Sequence, residues 1–177
     1  MKAIPLFLLF SLSGFVYGSC GEKESAMPPT PPAAAGEVFR TPAYLQNPAA
    51  DAMTVMWITN VPCRSWVEVG TEPDRLQPVR CYDEGMRVGN RTSNKIRLEG
   101  RRPGTKYYYR ACSQQILHYG SYKKEFGDTV RMPLASFTTW DERDQDYTVL
   151  VFNDVHKKTE LFGHLMSLVG NEPYDLC

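Results

Sequence analysis

Stretches of alternating apolar and polar residues, separated by turn-forming residues, run from residue 41 to residue 140. The turns recur at intervals of roughly ten residues, which is typical of short antiparallel strands packed as a sandwich. In one stretch Met53, Val55 and Trp57 share one face, and the residues between them share the other. Such alternation gives a strand one buried and one exposed face. The middle of the chain is therefore predicted to be an antiparallel β-sandwich.

The individual strands follow from the same alternation. They are predicted at residues 42–47, 53–59, 65–70, 95–98, 106–113 and 134–140. Trp57 lies in the middle of its strand, and large aromatic side chains dominate such cores. We therefore expect Trp57 to be a core residue. The 12% aromatic content, with ten tyrosines, also favours a β-rich body over a helical bundle.

The charge balance limits the class of partner. Twenty basic and twenty acidic residues give a formal net charge of zero. No basic stripe interrupts this balance, so nucleic acid is not an expected partner. Hydrophobic residues make up 42% of the chain and charged residues 23%, which is ordinary for a globular protein. No stretch reaches the roughly 18 consecutive apolar residues of a membrane-spanning helix.

The first 36 residues have the pattern of an export signal followed by a tether. A short positive start precedes an apolar run of secretory length, and small residues lead to Cys20. This resembles a Bacteroidetes-type lipoprotein signal at residues 1–19, in which Cys20 would carry lipid; the alternative is an ordinary signal peptide. Residues 20–36 are rich in proline and predicted to be a stiff, solvated tether. An exported protein anchored in the membrane by lipid, in the periplasm or at the cell surface, is expected.

The other cysteines leave two interpretations open. Cys63, Cys81, Cys112 and Cys177 show no CxxC spacing, so a zinc cluster is not predicted. The expected compartment is oxidising, which allows one disulfide. Buried free thiols are the alternative.

One turn of the sandwich carries a recognisable corner. Residues 98–110 read LEGRRPGTKYYYR, which resembles the corner between the fifth and sixth strands of a fibronectin type III domain. The resemblance makes Trp57 the core tryptophan. It makes Tyr107 the corner tyrosine, whose hydroxyl bonds back to the backbone. Arg101 stands where that family usually has leucine, so its charged head is expected to reach solvent.

A longer resemblance covers residues 42–177. The segments PAYLQNPAADAMTVMWITNVPCRSWVEVG, PGTKYYYRACSQ and SFTTWDERDQDYTVLVFNDVH together resemble the N-terminal, fibronectin-like domain of purple acid phosphatase-type metallophosphoesterases and its junction with the catalytic domain. The resemblance implies a fibronectin type III-like domain at residues 37–140. It also implies the start of a metallophosphoesterase domain at residues 147–177.

The pattern changes after an acidic linker at residues 141–146. Residues 147–152 form a nearly continuous apolar run, which predicts a strand buried on both faces. Residues 159–169 have an apolar stripe with helical spacing, and Gly170 ends it. This gives an incomplete α/β (βα) unit. Such a unit cannot bury both faces of its strand, so the catalytic domain is expected to be truncated and inactive in this chain.

One motif in this unit contains candidate metal ligands. Asp154 and His156 follow the predicted strand, two residues apart, so that both side chains reach the same side of an extended backbone. Carboxylate and imidazole together suit iron, zinc or manganese. Resemblance to calcineurin-like phosphoesterases implies that Asp154 and His156 are ligands of a two-metal centre acting on a phosphoester. The alternative is a polar loop in which Asp154 caps the helix.

Three functions remain open on this basis. The first is the N-terminal portion of an exported metal-dependent phosphoesterase, related to acid phosphatases. The second is a non-catalytic surface lipoprotein that uses its fibronectin-like sandwich as a binding module. The third is a prematurely ended product that folds its sandwich alone.

Overall fold

The computed structural model describes residues 31–141, 143, 146–153, 155, 158–170 and 174. Its secondary structure is mainly antiparallel β. The elements are, in chain order, α1 (Ala35–Val38), β1 (Tyr44–Gln46), β2 (Met53–Gly70), β3 (Gln77–Val79), β4 (Tyr82–Asp83), β5 (Met86–Arg87), β6 (Arg91–Leu98), β7 (Lys106–Tyr119), β8 (Lys124–Arg131), β9 (Ala135–Thr138) and α2 (Thr159–Val169). No helix in the described ranges has the length and apolar character needed to cross a bilayer.

Strand β2 organises the sheet because its two halves have different neighbours. The first half pairs antiparallel with β1 and β6, and the second half pairs with β3 and β7. The register of the β2–β6 pair shifts between Ile58 and Cys63. Pro62 lies in this interval and has no N–H to donate to a ladder. β7 then continues the sheet to β8 and β9. β4 and β5 pair with each other in a separate two-stranded sheet. We call both sheets together the β-domain.

The core lies between the inward faces of these strands. Its buried members are Met53, Val55, Trp57, Val67, Val69, Ile96, Leu98, Tyr107, Tyr109, Ala111 and Phe137. The core residues of β2 are odd-numbered on both sides of the register shift, so the strand keeps one face toward the core. Thr54 and Trp66 on the opposite face are also buried. The alternation in the sequence therefore predicts the inward face of β2 correctly.

Two predicted strands are one strand in the structure. Residues 53–59 and 65–70 both belong to β2, because the backbone between them bends without leaving the extended conformation. The other predicted strands have observed counterparts in β1, β6, β7 and β9. The short strands β3, β4 and β5 and the longer β8 were not predicted.

The strand predicted at residues 147–152 is not formed. The structure has no strand in this range beyond a single bridge residue, Val149, and Val151 is 81% exposed. An apolar run becomes a doubly buried strand only when neighbours cover both of its faces. Those neighbours are absent from the described residues. Helix α2, in contrast, begins and ends at the predicted residues, Thr159 and Val169.

The end of the predicted tether contacts the β-domain. The side-chain amide of Gln115 accepts a hydrogen bond from the Ala33 N–H (2.7 Å) and donates one to the Pro31 carbonyl (2.8 Å). The Gln115 side chain is buried, so both of its polar ends find their partners on this segment. The last residues of the predicted tether therefore contact the β-domain while remaining mostly exposed, and they include the start of α1.

Candidate functional site

The outward face of the second half of β2 carries charged side chains beside a tryptophan. Arg64, Trp66 and Glu68 alternate along the strand, opposite the core residues Val67 and Val69. Since successive strand residues point to opposite faces, the three side chains share one surface. Arginines from other strands join them there.

Glu68 holds two of these arginines. Arg110 lies directly opposite it on β7, and its Nε donates to Glu68 Oε2 at 2.6 Å. Arg131 Nε donates to the other oxygen, Oε1, at 3.3 Å, and Trp66 Nε1 donates to the same oxygen at 3.4 Å. Both carboxylate oxygens are therefore engaged. Burial alone would raise the pKa of Glu68, but these hydrogen bonds and the two arginine charges lower it on balance.

Three further arginines on this side have no acidic partner among the described residues. Arg87 lies over the Trp66 ring, 5.4 Å from its centroid, and Arg64 lies over the Phe126 ring at 3.6 Å. Arg64 Nε also donates to Gln114 Oε1 at 2.6 Å. Burial lowers the pKa of Arg87, and the positive charges of Arg80, which is exposed, and of Arg64 lower it further.

We name the whole surface the arginine face. It consists of Arg64, Arg80, Arg87, Arg110, Arg131, Trp66 and Glu68. Its five guanidiniums outnumber its single carboxylate. Because the chain as a whole carries no net charge, this surface departs from the average of the molecule. Such local fields attract anions.

The cysteines of the β-domain are free thiols. Cys63 and Cys112 are buried and Cys81 is half-buried, so the free-thiol alternative holds for these three. Burial raises the pKa of Cys63 to about 11, against a weaker opposing hydrogen bond from Thr59. Burial, with the negative charge of Glu68 adding to it, raises the pKa of Cys112 to about 12. Both remain protonated at neutral pH and are therefore poor nucleophiles.

A small cavity adjoins two of these thiols. It has a volume of about 70 Å³, and Cys63, Ser65, Cys81 and Asn94 are among its lining residues. None of the lining side chains is a carboxylate or an imidazole. We therefore do not assign acid–base or metal chemistry to this cavity.

The corner around Tyr107 has the geometry that the resemblance implies. The Arg102 N–H donates to the Tyr107 hydroxyl at 3.0 Å, and the Tyr107 ring stacks on Phe137. The Arg101 guanidinium lies over the Tyr107 ring at 5.5 Å and donates to the Glu99 carbonyl. The apolar stem of Arg101 can therefore take the place of leucine while its head reaches the surface.

Thr139 completes this corner and was not predicted. Its hydroxyl donates to the Arg102 carbonyl at 2.6 Å and accepts from the Thr105 N–H at 3.0 Å. Gly104 turns the chain between them with a φ of +57°, a conformation that favours glycine. Both backbone groups of Arg102 are therefore hydrogen-bonded, its N–H to Tyr107 and its carbonyl to Thr139.

The predicted site residues fall into two groups. Trp57 is 1% exposed, and its Nε1 donates to Ser113 Oγ at 3.0 Å, which links β2 to β7 through the core. Tyr107 is buried at the corner. Cys20, Asp154 and His156 lie outside the described residues. His118 is half-buried on β7 and His164 is exposed on α2.

The described residues contain no group of three or more histidine, cysteine, aspartate or glutamate side chains that could hold a metal ion. The arginine face is the site that sequence reasoning missed. Its signal in the sequence was the alternation of Arg64, Trp66 and Glu68, which places an aromatic between two charges on one face.

Comparison with known proteins finds similarity to solved structures. No family model matches the chain, and no curated protein matches it either. Among solved structures, the chain is similar to the sixth fibronectin type III domain of human fibronectin type III domain containing protein 3. The match has 19% sequence identity and a TM-score of 0.36, and covers 60% of this chain and 88% of that domain.

The charge pair at Glu68 predicts a dependence of stability on pH. Because the folded pKa of Glu68 lies below the unfolded value of 4.5, its ion pairs stabilise the fold above pH 4.5. This stabilisation is lost as the pH falls through the lower folded value. Glu68→Gln should therefore lower the free energy of unfolding at pH 7, and its difference from wild type should shrink below pH 4.

Urea unfolding at a series of pH values measures this difference. Glu72→Gln is the matched control, since Glu72 forms only an exposed pair with Arg75. A Glu68→Gln difference that is the same at pH 7 and pH 3.5 would refute the role of the ion pairs.

Proposed function

We propose that this chain is the N-terminal portion of an exported, metal-dependent phosphoesterase in which the β-domain is a non-catalytic module. The observation that carries the proposal is the Asp154-x-His156 motif, which stands directly before a helix. That helix, α2, begins at Thr159 and ends at Val169. A carboxylate and an imidazole two residues apart are a ligand pair that suits iron, zinc or manganese.

The β-domain supports the proposal through its corner. The Tyr107–Arg102 bond has the arrangement that the resemblance to a fibronectin type III domain implies, and the proposed enzyme would carry such a domain at its N-terminus. In the proposed enzyme, Asp154 and His156 would each supply one ligand of a centre of two iron, zinc or manganese ions. Such a centre binds phosphate and activates a hydroxide. Asp154 and His156 lie outside the described residues, so we derive no catalytic step from the structure.

The direct test uses the protein as its own cell makes it. The gene is tagged within residues 21–30 in the source organism, and its product is purified from the envelope. We expect hydrolysis of p-nitrophenyl phosphate that chelator abolishes and that manganese, zinc or iron restores. No hydrolysis with any of the three metals would contradict the proposal. The 177-residue chain made alone is expected to be inactive, because two ligands do not complete a dinuclear centre.

Anchoring by lipid is part of the proposal. Cys20 follows an apolar run of secretory length and small residues. Several acyl chains anchor a protein firmly, whereas one chain anchors it only marginally. Cys20→Ala should therefore move the protein from the membrane fraction to the soluble fraction, as followed by immunoblot after cell fractionation. Ser19→Ala, which keeps the cysteine and a small residue, is the control. Unchanged fractionation of Cys20→Ala would refute lipid anchoring.

A second candidate is a non-catalytic surface protein whose β-domain binds a ligand. The arginine face favours it, because five guanidiniums on one surface suit an anionic partner. The two candidates differ in one result. Metal-dependent hydrolysis by the cell-made product is expected only from the phosphoesterase.

A further inference from the structure

The predicted tether and the acidic linker join the β-domain at opposite ends of strand β7. At one end, the buried side chain of Gln115 bonds to the Ala33 N–H and to the Pro31 carbonyl. At the other end, Thr138 of β9 pairs with Lys106, the first residue of β7, and the chain then enters the linker. Gln115 and Lys106 are nine positions apart on β7, which corresponds to about 30 Å. We call these two ends the tether end and the linker end.

The turn between β7 and β8 lies at the tether end and carries two exposed tyrosines. Tyr119 is 43% exposed, and the Tyr122 side chain is fully exposed. The Gly120 N–H donates to the Lys123 carbonyl at 2.9 Å, so a hydrogen bond closes the turn. We call residues 119–124 the tyrosine turn. It presents aromatic surface that the β-domain leaves uncovered.

Two lysines stand beside these tyrosines. Lys124 is exposed, and its Nζ lies 5.1 Å from the centroid of the Tyr119 ring. Lys123 Nζ lies 2.5 Å from Glu125 Oε1, whereas Lys124 forms no ion pair with a described residue. Tyrosine rings favour the interface between water and membrane, where the ring is half-buried and the hydroxyl is wet. Lysines favour the same layer when its lipids are anionic.

The proposed lipid anchor brings a membrane within reach of this turn. Pro31 lies eleven positions after Cys20 in the sequence, and a fully extended chain of that length spans at most about 40 Å. The tyrosine turn begins four positions beyond Gln115, the residue that binds Pro31, which is about 13 Å along the strand. An anchor at Cys20 therefore restricts the tether end to a layer close to the lipid.

We infer that the tyrosine turn contacts the headgroup layer of an anionic phospholipid membrane, with Tyr119 and Tyr122 among the headgroups and Lys124 near their phosphates. The linker end, where the Trp140 carbonyl accepts from the Gly104 N–H, then points away from the lipid. The inference rests on the proposed lipid anchor, which supplies the proximity. Because that anchor makes the contact intramolecular, a weak affinity of the turn for lipid is sufficient.

Photo-crosslinking of the cell-made protein tests this orientation. The probe is p-benzoylphenylalanine, an aromatic residue that bonds covalently to neighbouring C–H groups under ultraviolet light. It replaces Tyr122 in one variant and Trp140, the exposed aromatic at the linker end, in the other. Cells are grown with radioactive phosphate, which labels phospholipids. We expect labelled phospholipid on the protein with the probe at position 122 and none on the protein with the probe at position 140.

Vesicle flotation of the Cys20→Ala product tests the turn without the anchor. The vesicles consist of phosphatidylethanolamine with or without phosphatidylglycerol, at high lipid concentration. We expect more protein to float with the anionic vesicles and less of it in Tyr122→Ser, and we expect Lys124→Gln to weaken binding by about fivefold. Lys106→Gln is the matched control, because Lys106 also lies over a tyrosine ring, that of Tyr108, but at the linker end. It should bind as the parent does.

The anchor and the turn fail in different ways. Unchanged fractionation of Cys20→Ala refutes the anchor and leaves the crosslinking pattern to test the turn. Membrane-bound protein that carries no labelled phospholipid at position 122, or as much at position 140, would overturn the inference. Flotation that is the same in Tyr122→Ser, Lys124→Gln and Lys106→Gln would also overturn it.

Discussion

Trp57→Ala is expected to unfold the β-domain at ordinary temperatures. The indole is 1% exposed in the centre of the core, and its Nε1 bonds to Ser113 Oγ. Removing it leaves a cavity and costs about 3–5 kcal/mol. The Ser113 hydroxyl would retain its bond to Ser65 Oγ but lose the indole donor. Since a domain of this size is stable by only about 5–15 kcal/mol, the loss is a large part of the total.

Thermal and urea unfolding, followed by circular dichroism, measure this effect. Trp140→Ala is the matched control, because Trp140 is 39% exposed and contacts Tyr147 rather than the core. We expect the control to change the unfolding midpoint little. An unfolding midpoint for Trp57→Ala that lies close to the wild type would contradict the position of Trp57 in the core.

Asp154→Asn is expected to lower the phosphoesterase activity of the cell-made product by orders of magnitude. A neutral amide replaces an anionic ligand, which weakens metal binding and the charge that orients the centre. The measurements are the metal content per chain and the rate of p-nitrophenyl phosphate hydrolysis. Both should fall together.

Two controls make this result specific. Asp128→Asn removes an exposed carboxylate from β8, and His164→Gln removes an exposed imidazole from α2. Neither should change metal content or activity. Full activity in Asp154→Asn, together with unchanged metal content, would refute the assignment of Asp154 as a ligand while leaving the hydrolysis itself to be explained by other residues.

The parts of the fold that were predictable are those in which local pattern and burial agree. Val55, Trp57 and Val67 alternate with outward residues, and each occupies the core. Tyr107 and Arg102 are five residues apart, so their bond depends on a local turn. The α2 pattern ends at Gly170, a residue that often stops helices.

Other elements have little local signal. Strand β8 has no buried residue and contains Gly127, so its sequence shows no apolar face. Strands β3, β4 and β5 have two or three residues each, too few for an alternation to be recognised. The bend near Pro62 has the composition of a turn, yet the chain stays in one strand.

Sequence reasoning missed the arginine face and wrongly predicted a strand at residues 147–152 for a common reason. Arg110 and Arg131 come from separate strands and meet at Glu68 on a third, so a charge count along the chain does not reveal the group that the fold creates. The apolar run needs neighbours on both faces, which the local sequence does not encode, and Val151 is exposed without them. Both features depend on contacts between distant residues.

Amide hydrogen exchange at Arg102 tests the corner of the β-domain most directly. The Arg102 N–H donates to the Tyr107 hydroxyl, whereas the neighbouring Arg101 N–H donates to the Asp51 carbonyl at 2.7 Å. Both amides should be protected from exchange in the wild type. In Tyr107→Phe, we expect Arg102 to lose its protection while Arg101 keeps it. An Arg102 amide that exchanges freely in the wild type, beside protected core amides, would contradict the corner and the β-domain built around it.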